Sequence, residues 1–360
     1  MKRVHAVVPS GVADPQRPSG GNAYDLRVLT GLRDLGWTVC RHEVDGSWPR
    51  PDLAARARLA GVLACIPDGS AVLLDGLVAC AAPEAIAPER DRLRLVTLVH
   101  LPLGHEWGAG PPDGQHAARR QRERDVLVAA TAVLTTSRWT REWLLDAYAL
   151  DPERVHVAQP GADEAPIVAA HSSGSGLLCV GAVTPTKGHD ILVDALRLIG
   201  DLSWSCICVG ALDIDPPFVV DLTERIGRAG LDGRVTLAGP CAGDRLQTMY
   251  AVADLVLIAS RIESYGMVAT EALARGIPVV GSDVGGLSEA LDGPAPGERP
   301  GVLVPPGGGG ASLATALRAW LTDPELRDRL RGAAQERRSS LIGWSATTER
   351  VSQVLEAVAA

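Results

Sequence analysis

Glu263 and Glu271 lie eight positions apart in Glu263-Ser264-Tyr265-Gly266-Met267-Val268-Ala269-Thr270-Glu271, flanking a point where a loop turns into a helix. The run Val268 to Arg275 is helix-forming, Gly276 ends it and Pro278 bars its continuation. An apolar strand from Asp254 to Ser260 precedes it, so Glu263 falls in the strand-to-helix loop and Glu271 inside the helix. Near a helix start the N–H groups of Tyr265, Gly266 and Met267 point outward with the positive end of the helix dipole, which suits a pyrophosphate. A carboxylate on either side of such an anion site binds hydroxyls, not phosphate. A nucleoside diphosphate sugar has that layout, with a ribose on one side of its diphosphate and a sugar on the other. The competing reading is a pair of solvated glutamates, and the spacing alone does not separate the two.

Lysine is nearly absent: only Lys2 and Lys187 occur among 35 basic residues. Lys187 sits in Gly181-Ala182-Val183-Thr184-Pro185-Thr186-Lys187-Gly188-His189, between a strand and a helix. A cation near a helix start opposes the dipole, so its presence asks for a reason. A compact ammonium there can neutralise a diphosphate leaving group. His100 ends the apolar strand Leu95 to Val99 and is followed by His105 and Glu106. A histidine at a strand's carboxyl end, where α/β sheets bind ligands, is a candidate for substrate contact. Gly20 and Gly21 follow the first strand and open a helix, with Asn22, Tyr24 and Asp25 just beyond. Asp213-Ile214-Asp215 looks like a metal-binding DxD, but the Pro216-Pro217 that follows favours a loop ahead of a helix, and no metal is expected.

These residues need strands and helices to carry them. Apolar strands are expected at Val4 to Val8, Thr38 to Val44, Val72 to Asp75, Leu95 to His100, Ala132 to Thr136 and Val155 to Val157. A second series runs Leu177 to Val180, Cys206 to Val209, Val235 to Ala238, Leu255 to Ile258, Pro278 to Gly281 and Gly301 to Val304. Strands alternating with helices predict two parallel sheets, each wound on both faces. The expected domains are 1–168 and 177–343, joined by a small, polar linker at 169–176, with residues 344–360 left as an amphipathic helical tail that has no strand to pair with. With two such domains, the cleft between them is the expected site.

At 360 residues, with 46% hydrophobic and 22% charged residues, the chain fits two folded domains. No membrane span or signal peptide is read, so a cytoplasmic protein is expected. The seven cysteines form no CxxC pair, which argues against zinc and disulfides. A net charge of −8 argues against nucleic acid, and the basic run Arg119 to Arg124, interrupted by Glu123, reads as a solvated helix face. Membrane contact is not expected. The arginine-rich, lysine-poor composition points to a GC-rich bacterial source and to secondary metabolism.

The stretch Ser260-Arg261-Ile262-Glu263-Ser264-Tyr265-Gly266-Met267, with Glu271-Ala272-Leu273-Ala274-Arg275-Gly276-Ile277-Pro278 and Gly285-Gly286, resembles the donor-site signature of retaining glycosyltransferases with the GT-B fold. That large family includes sucrose synthases and phosphatidylinositol mannosyltransferases. The resemblance implies two Rossmann-like domains, with the helix at 344–360 crossing back to pack on the first, and transfer of a sugar, with retention, from a nucleoside diphosphate sugar to a hydroxyl of a small-molecule acceptor. It implies no required cofactor or metal, and a UDP or GDP sugar as donor. It assigns catalytic contacts to His100, Glu263 and Lys187. Donor binding falls to Gly20, Gly21, Gly181, Lys187, Gly239, Pro240, Glu263, Ser264, Tyr265, Gly266, Met267, Val268 and Glu271. Relatives usually carry an arginine shortly after the glycine of the Lys187 loop, where this chain has Ala182. Losing one charged contact to phosphate costs on the order of 1.5–3 kcal/mol. Lys187 and backbone amides act alone, or another base such as Arg261 supplies the charge, or the enzyme is weak or inactive. The alternatives to a transferase are a noncatalytic sugar-nucleotide-binding subunit and a nucleotide-sugar epimerase.

Overall fold

Runs of apolar, β-branched residues separated by helices can only pair as parallel strands, because each helix carries the chain back to the starting edge. The computed structural model describes residues 2–105, 115–169, 171, 173–292 and 298–359. Its first sheet contains β1 (Arg3–Pro9), β2 (Thr38–Val44), β3 (Ala71–Asp75), β4 (Arg94–Val99), β5 (Ala132–Thr135) and β6 (Val155–Val157), in the order β2-β1-β3-β4-β5-β6. The second contains β7 (Gly176–Val180), β8 (Ser205–Val209), β9 (Val235–Gly239), β10 (Leu255–Ile258), β11 (Val279–Ser282) and β12 (Gly301–Val304), in the order β12-β11-β10-β7-β8-β9. All described pairings are parallel.

The second order is that of a dinucleotide-binding sheet, and its direction reverses between β7 and β10. The chain leaves those two neighbours in opposite lateral directions, and it is beyond the carboxyl ends at such a point that open α/β sheets bind ligands. In the first sheet the corresponding reversal lies between β1 and β3.

The chain divides into two compact units, one of Met1–Ala13, Gly21–Gly161 and Ile342–Ala360, the other of Asp14–Gly20 and Ala162–Leu341. Residues 162–168, read with the first domain from sequence, group with the second, where the Val168 N–H donates to the Arg275 carbonyl. In the stretch read as a linker, His171 N–H donates to Asp254 and the Trp320 indole donates to the Gly174 carbonyl. The first unit packs its sheet under two apolar clusters, one holding Leu59, Leu95 and Leu144, the other Tyr24, Leu32, Val351 and Leu355. The last two belong to the helix Trp344–Ala359, which returns to the first unit as the resemblance implies. The second unit buries Leu192, Leu257 and Trp320 on one face of its sheet and Val256, Leu273 and Leu287 on the other. None of the described helices is long and apolar enough to cross a membrane.

Candidate functional site

In the second unit the reversal point collects the residues picked out from sequence. Past β7, Gly181 leads into a single 3-10 turn, Pro185–Lys187, and Gly188 at φ +67° starts the helix His189–Leu198. A Cβ on Gly188 would sit 1.9 Å from the carbonyl oxygen of Ala259, so the residue lets this loop lie against the end of β10. Lys187 Nζ is thereby brought to 2.6 Å from Glu263 Oε1, which also accepts from Ser260 Oγ at 2.7 Å. Both side chains are largely covered, at 33% and 12% exposure. Two residues 76 positions apart, each chosen on local pattern, form one ion pair.

The Glu263 main chain is clamped from the other side. Gly286 N–H donates to its carbonyl, and Gly285, at φ +58°, passes so close that a Cβ would lie 1.8 Å from the same oxygen. Gly266, at φ +96°, caps the helix Met267–Ala274, whose opening residues Met267 and Val268 are half-buried. The N–H groups of that first turn are those a helix leaves without an internal acceptor. Ser264 is half-buried beside Glu263, whereas the Tyr265 ring lies in the core at 4% exposure, so only its main chain belongs to the loop. One turn into the helix, Glu271 Oε2 accepts from Tyr250 Oη at 2.7 Å. Burial pushes the Glu271 carboxyl above its ordinary range, against the pull of Tyr250 and Arg275. Arg275 lies over the Tyr250 ring at 4.2 Å and donates to the Glu271 carbonyl, fixing the acid's support. Gly239 ends β9, at the sheet edge, and Pro240 follows it, with the Gly239 carbonyl accepting from the Gly210 N–H.

Arg261 does not supply the missing cation. Its guanidinium forms a two-pronged pair with Asp190, at 2.9 and 2.6 Å, and donates to the Pro185 carbonyl. It braces the Lys187 loop from behind. Asp213 and Asp215 do not act together either: Asp215 caps the helix Pro216–Arg228 through Phe218 N–H, while Asp213 pairs with Arg17.

In the first unit, His100 follows β4 and its Nε2 lies 2.8 Å from Asp25 Oδ1 and 3.9 Å from Asp75 Oδ2. Asp25 comes from the helix Gly20–Asp34 and Asp75 ends β3, where it accepts from the Leu77 and Val78 N–H groups. Gly21 packs on the His100 ring, 3.3 Å from Cδ2 to the position a Cβ would take. Burial opposes a charge on His100, yet Asp25 and then Asp75 hold its pKa above the ordinary value. Burial and the Asp25 charge push the Asp75 carboxyl up to about 7. The sequence reading missed Asp75, whose signal was its place at the carboxyl end of a fully buried strand next to the reversal point. Tyr24 is core, its hydroxyl donating to the Ala158 carbonyl. His105 makes tilted ring contacts with Trp139 and Trp143, at 5.4 and 5.3 Å between centroids, and Glu106 lies outside the described residues.

Glu123 also corrects the sequence reading. Arg120, Arg122 and Arg124 are exposed, but Glu123 is fully buried on the inner face of the helix His116–Ala129. There it accepts from Leu103 N–H and Gly104 N–H, each at 2.8 Å, and from Tyr148 Oη at 2.6 Å, which anchors the loop after His100.

Compared with known proteins, the chain matches the family model described as Glycosyl transferases group 1 over residues 169–337 and that described as Glycosyltransferase Family 4 over residues 71–165. It is 36% identical over 264 residues to the D-inositol 3-phosphate glycosyltransferase of Kineococcus radiotolerans, covering 66% of this chain and 60% of that one. To D-inositol 3-phosphate glycosyltransferase 1 of Catenulispora acidiphila it is 31% identical over 297 residues, covering 76% and 67%. The chain spans about three fifths of the length of the first curated relatives it matches. Among solved structures it is similar in fold to Anabaena Alr3699/HepE in complex with UDP and glucose, with a TM-score of 0.77 at 20% identity, covering 99% of this chain and 100% of that one.

Proposed function

This chain belongs to the glycosyl transferases group 1 family, and from that we propose that it is a retaining, metal-independent glycosyltransferase moving a sugar from a nucleoside diphosphate sugar to a hydroxyl of a small molecule. The observation that carries the reading is the Lys187–Glu263 pair beyond the reversal point of β7 and β10, beside the start of the helix Met267–Ala274. In this reading Lys187 and the amides around Gly266 and Met267 take the charge that develops on the departing diphosphate. Glu263 accepts from a hydroxyl of the transferred sugar, held in place by Lys187, Ser260 and the clamped main chain. Glu271, oriented by Tyr250 through one oxygen, offers the other to the ribose hydroxyls. The bond from the anomeric carbon to the diphosphate oxygen breaks, the acceptor oxygen bonds to that carbon from the same face, and its proton passes to the diphosphate. His100, ordered by Asp25 and Asp75, contacts the transferred sugar.

A UDP sugar is the first donor to test, since the Anabaena structure of the same fold holds UDP and glucose. The names of the curated relatives make D-inositol 3-phosphate the first acceptor. Isothermal titration with UDP, GDP, ADP and dTDP in EDTA should show one nucleotide bound without metal. Lys187→Ala and Glu271→Ala should each weaken it about tenfold or more, the worth of one charge-assisted contact. Binding untouched by either substitution would sink the assignment of the donor site.

A further inference from the structure

The loop that usually carries a second diphosphate cation has Ala182 at that position, and Arg261 is turned away to Asp190. A cation arrives from a distant part of the sequence instead. The short segment Asp14–Gly20 groups with the second unit although it lies between β1 and the helix that follows. An Asp14 turn, in which Gln16 N–H donates to Oδ1 and Arg17 N–H to the Asp14 carbonyl, presents Arg17 outward. Its Nε and Nη2 reach Asp213 Oδ2 at 3.1 and 2.7 Å. Asp213 follows β8 in the loop that lies against Ala182: a Cβ on Gly210 would be 2.8 Å from Ala182 N, and Val183 N–H donates to the Ala211 carbonyl. At its other end the segment meets the opening of the donor helix, where a Cβ on Gly20 would lie 3.4 Å from Met267 Sδ. Residues 14–20 thus touch the loop after β8 through Arg17 on Asp213 and the opening of the helix Met267–Ala274 through Gly20.

We propose that Arg17 is the second diphosphate-binding cation of this enzyme, replacing the arginine absent at Ala182, and that Asp213 parks it when the donor site is empty. The inference rests on the donor-site reading above. The exchange is favourable on simple grounds. The Arg17 and Asp213 side chains are 59% and 55% exposed, and a solvated surface pair contributes little, so leaving it costs little. A guanidinium on phosphate oxygens makes two charge-assisted bonds on a doubly charged partner. Donor binding would also draw residues 14–20 onto the diphosphate.

The test is titration with UDP and GDP and with the matching monophosphates, which lack the second phosphate. Arg17→Gln is expected to weaken the diphosphate about tenfold or more while changing the monophosphate far less. Ala182→Arg in the Arg17→Gln background should restore the affinity. Asp213→Asn breaks the same ion pair but keeps the cation, so diphosphate affinity should hold or tighten. The proposal is overturned if Arg17→Gln binds the diphosphate like the wild type while Lys187→Ala does not. It is equally overturned if Asp213→Asn weakens binding as much as Arg17→Gln, which would make the pair purely structural. A wild type that binds none of these nucleotides would refute the donor-site reading itself, and this inference with it.

Discussion

Asp75 and His100 hold protons more tightly in the folded protein than they would in an open chain. The cause for Asp75 is burial and then the nearby Asp25 carboxylate; for His100 burial acts the other way and is outweighed by Asp25 and then Asp75. The two shifts have the same sign for stability. A group with a raised folded pKa contributes stability that is complete below its unfolded value and is lost as pH rises through the folded one. Asp75 therefore loses its contribution between its ordinary value of 3.8 and about 7, and His100 loses its own from its ordinary 6.5 upward. Urea unfolding should show the first unit weakening from pH 5 to pH 8. Asp75→Asn keeps a good cap for the Leu77 and Val78 amides and removes the buried acid, so the decline should flatten. An unchanged slope in that variant would mean that Asp75 does not hold the proton. Both glutamates and Lys187 were legible as candidates, because their types stand out in their local setting: a cation near a helix start, and acids flanking the amides of another. Asp75 was not, since an aspartate ending an apolar strand is also an ordinary helix cap.

At the level of elements, the loops after β7, β10 and β11 are held together by glycines at positive φ. Gly285 is the clearest case, because its φ of +58° and a 1.8 Å approach to the Glu263 carbonyl both exclude a side chain. Gly285→Ala should cost about 1–2 kcal/mol for the left-handed backbone. It must also displace the main chain of Glu263, so nucleoside diphosphate affinity should fall by about tenfold, roughly 1.4 kcal/mol. Circular dichroism and titration of the same sample separate the two effects, and wild-type affinity in a folded variant would show that the clamp does not position Glu263. The strands were readable to within a residue or two because buried parallel strands are unbroken apolar runs. The helix His116–Ala129 was recognisable as a helix, but not the burial of Glu123 among its arginines. Helical spacing puts Glu123 on the face of His116, Val126 and Leu127, and only the Leu103 and Gly104 amides opposite explain a carboxylate there.

For the molecule as a whole, the helix Trp344–Ala359 completes the first unit, with Val351, Val354 and Leu355 in its core and Ser352 Oγ accepting from the Trp37 indole. Leu355 is fully buried, so Leu355→Ala should destabilise that unit by about 2–5 kcal/mol, read as an earlier urea transition. A shift below about 0.5 kcal/mol, the range of an ordinary surface change, would mean the helix is only loosely attached. The sequence by itself determined the two parallel sheets and the amphipathic last helix, and it singled out Lys187, Glu263 and Glu271 as candidates, while the return of that helix to the first unit was implied by the family resemblance. Sheets, helix and candidates are each written in local pattern, through apolar runs, glycine and proline punctuation, and charges placed against a helix dipole. Only the tertiary structure decided which charges meet. It joined Lys187 to Glu263, turned Arg261 to Asp190, buried Asp75 beside His100 and brought Arg17 to the loop next to Ala182. The partners of a charge lie tens to hundreds of residues away, and strand order and loop closure bring them together without leaving a local mark in the chain.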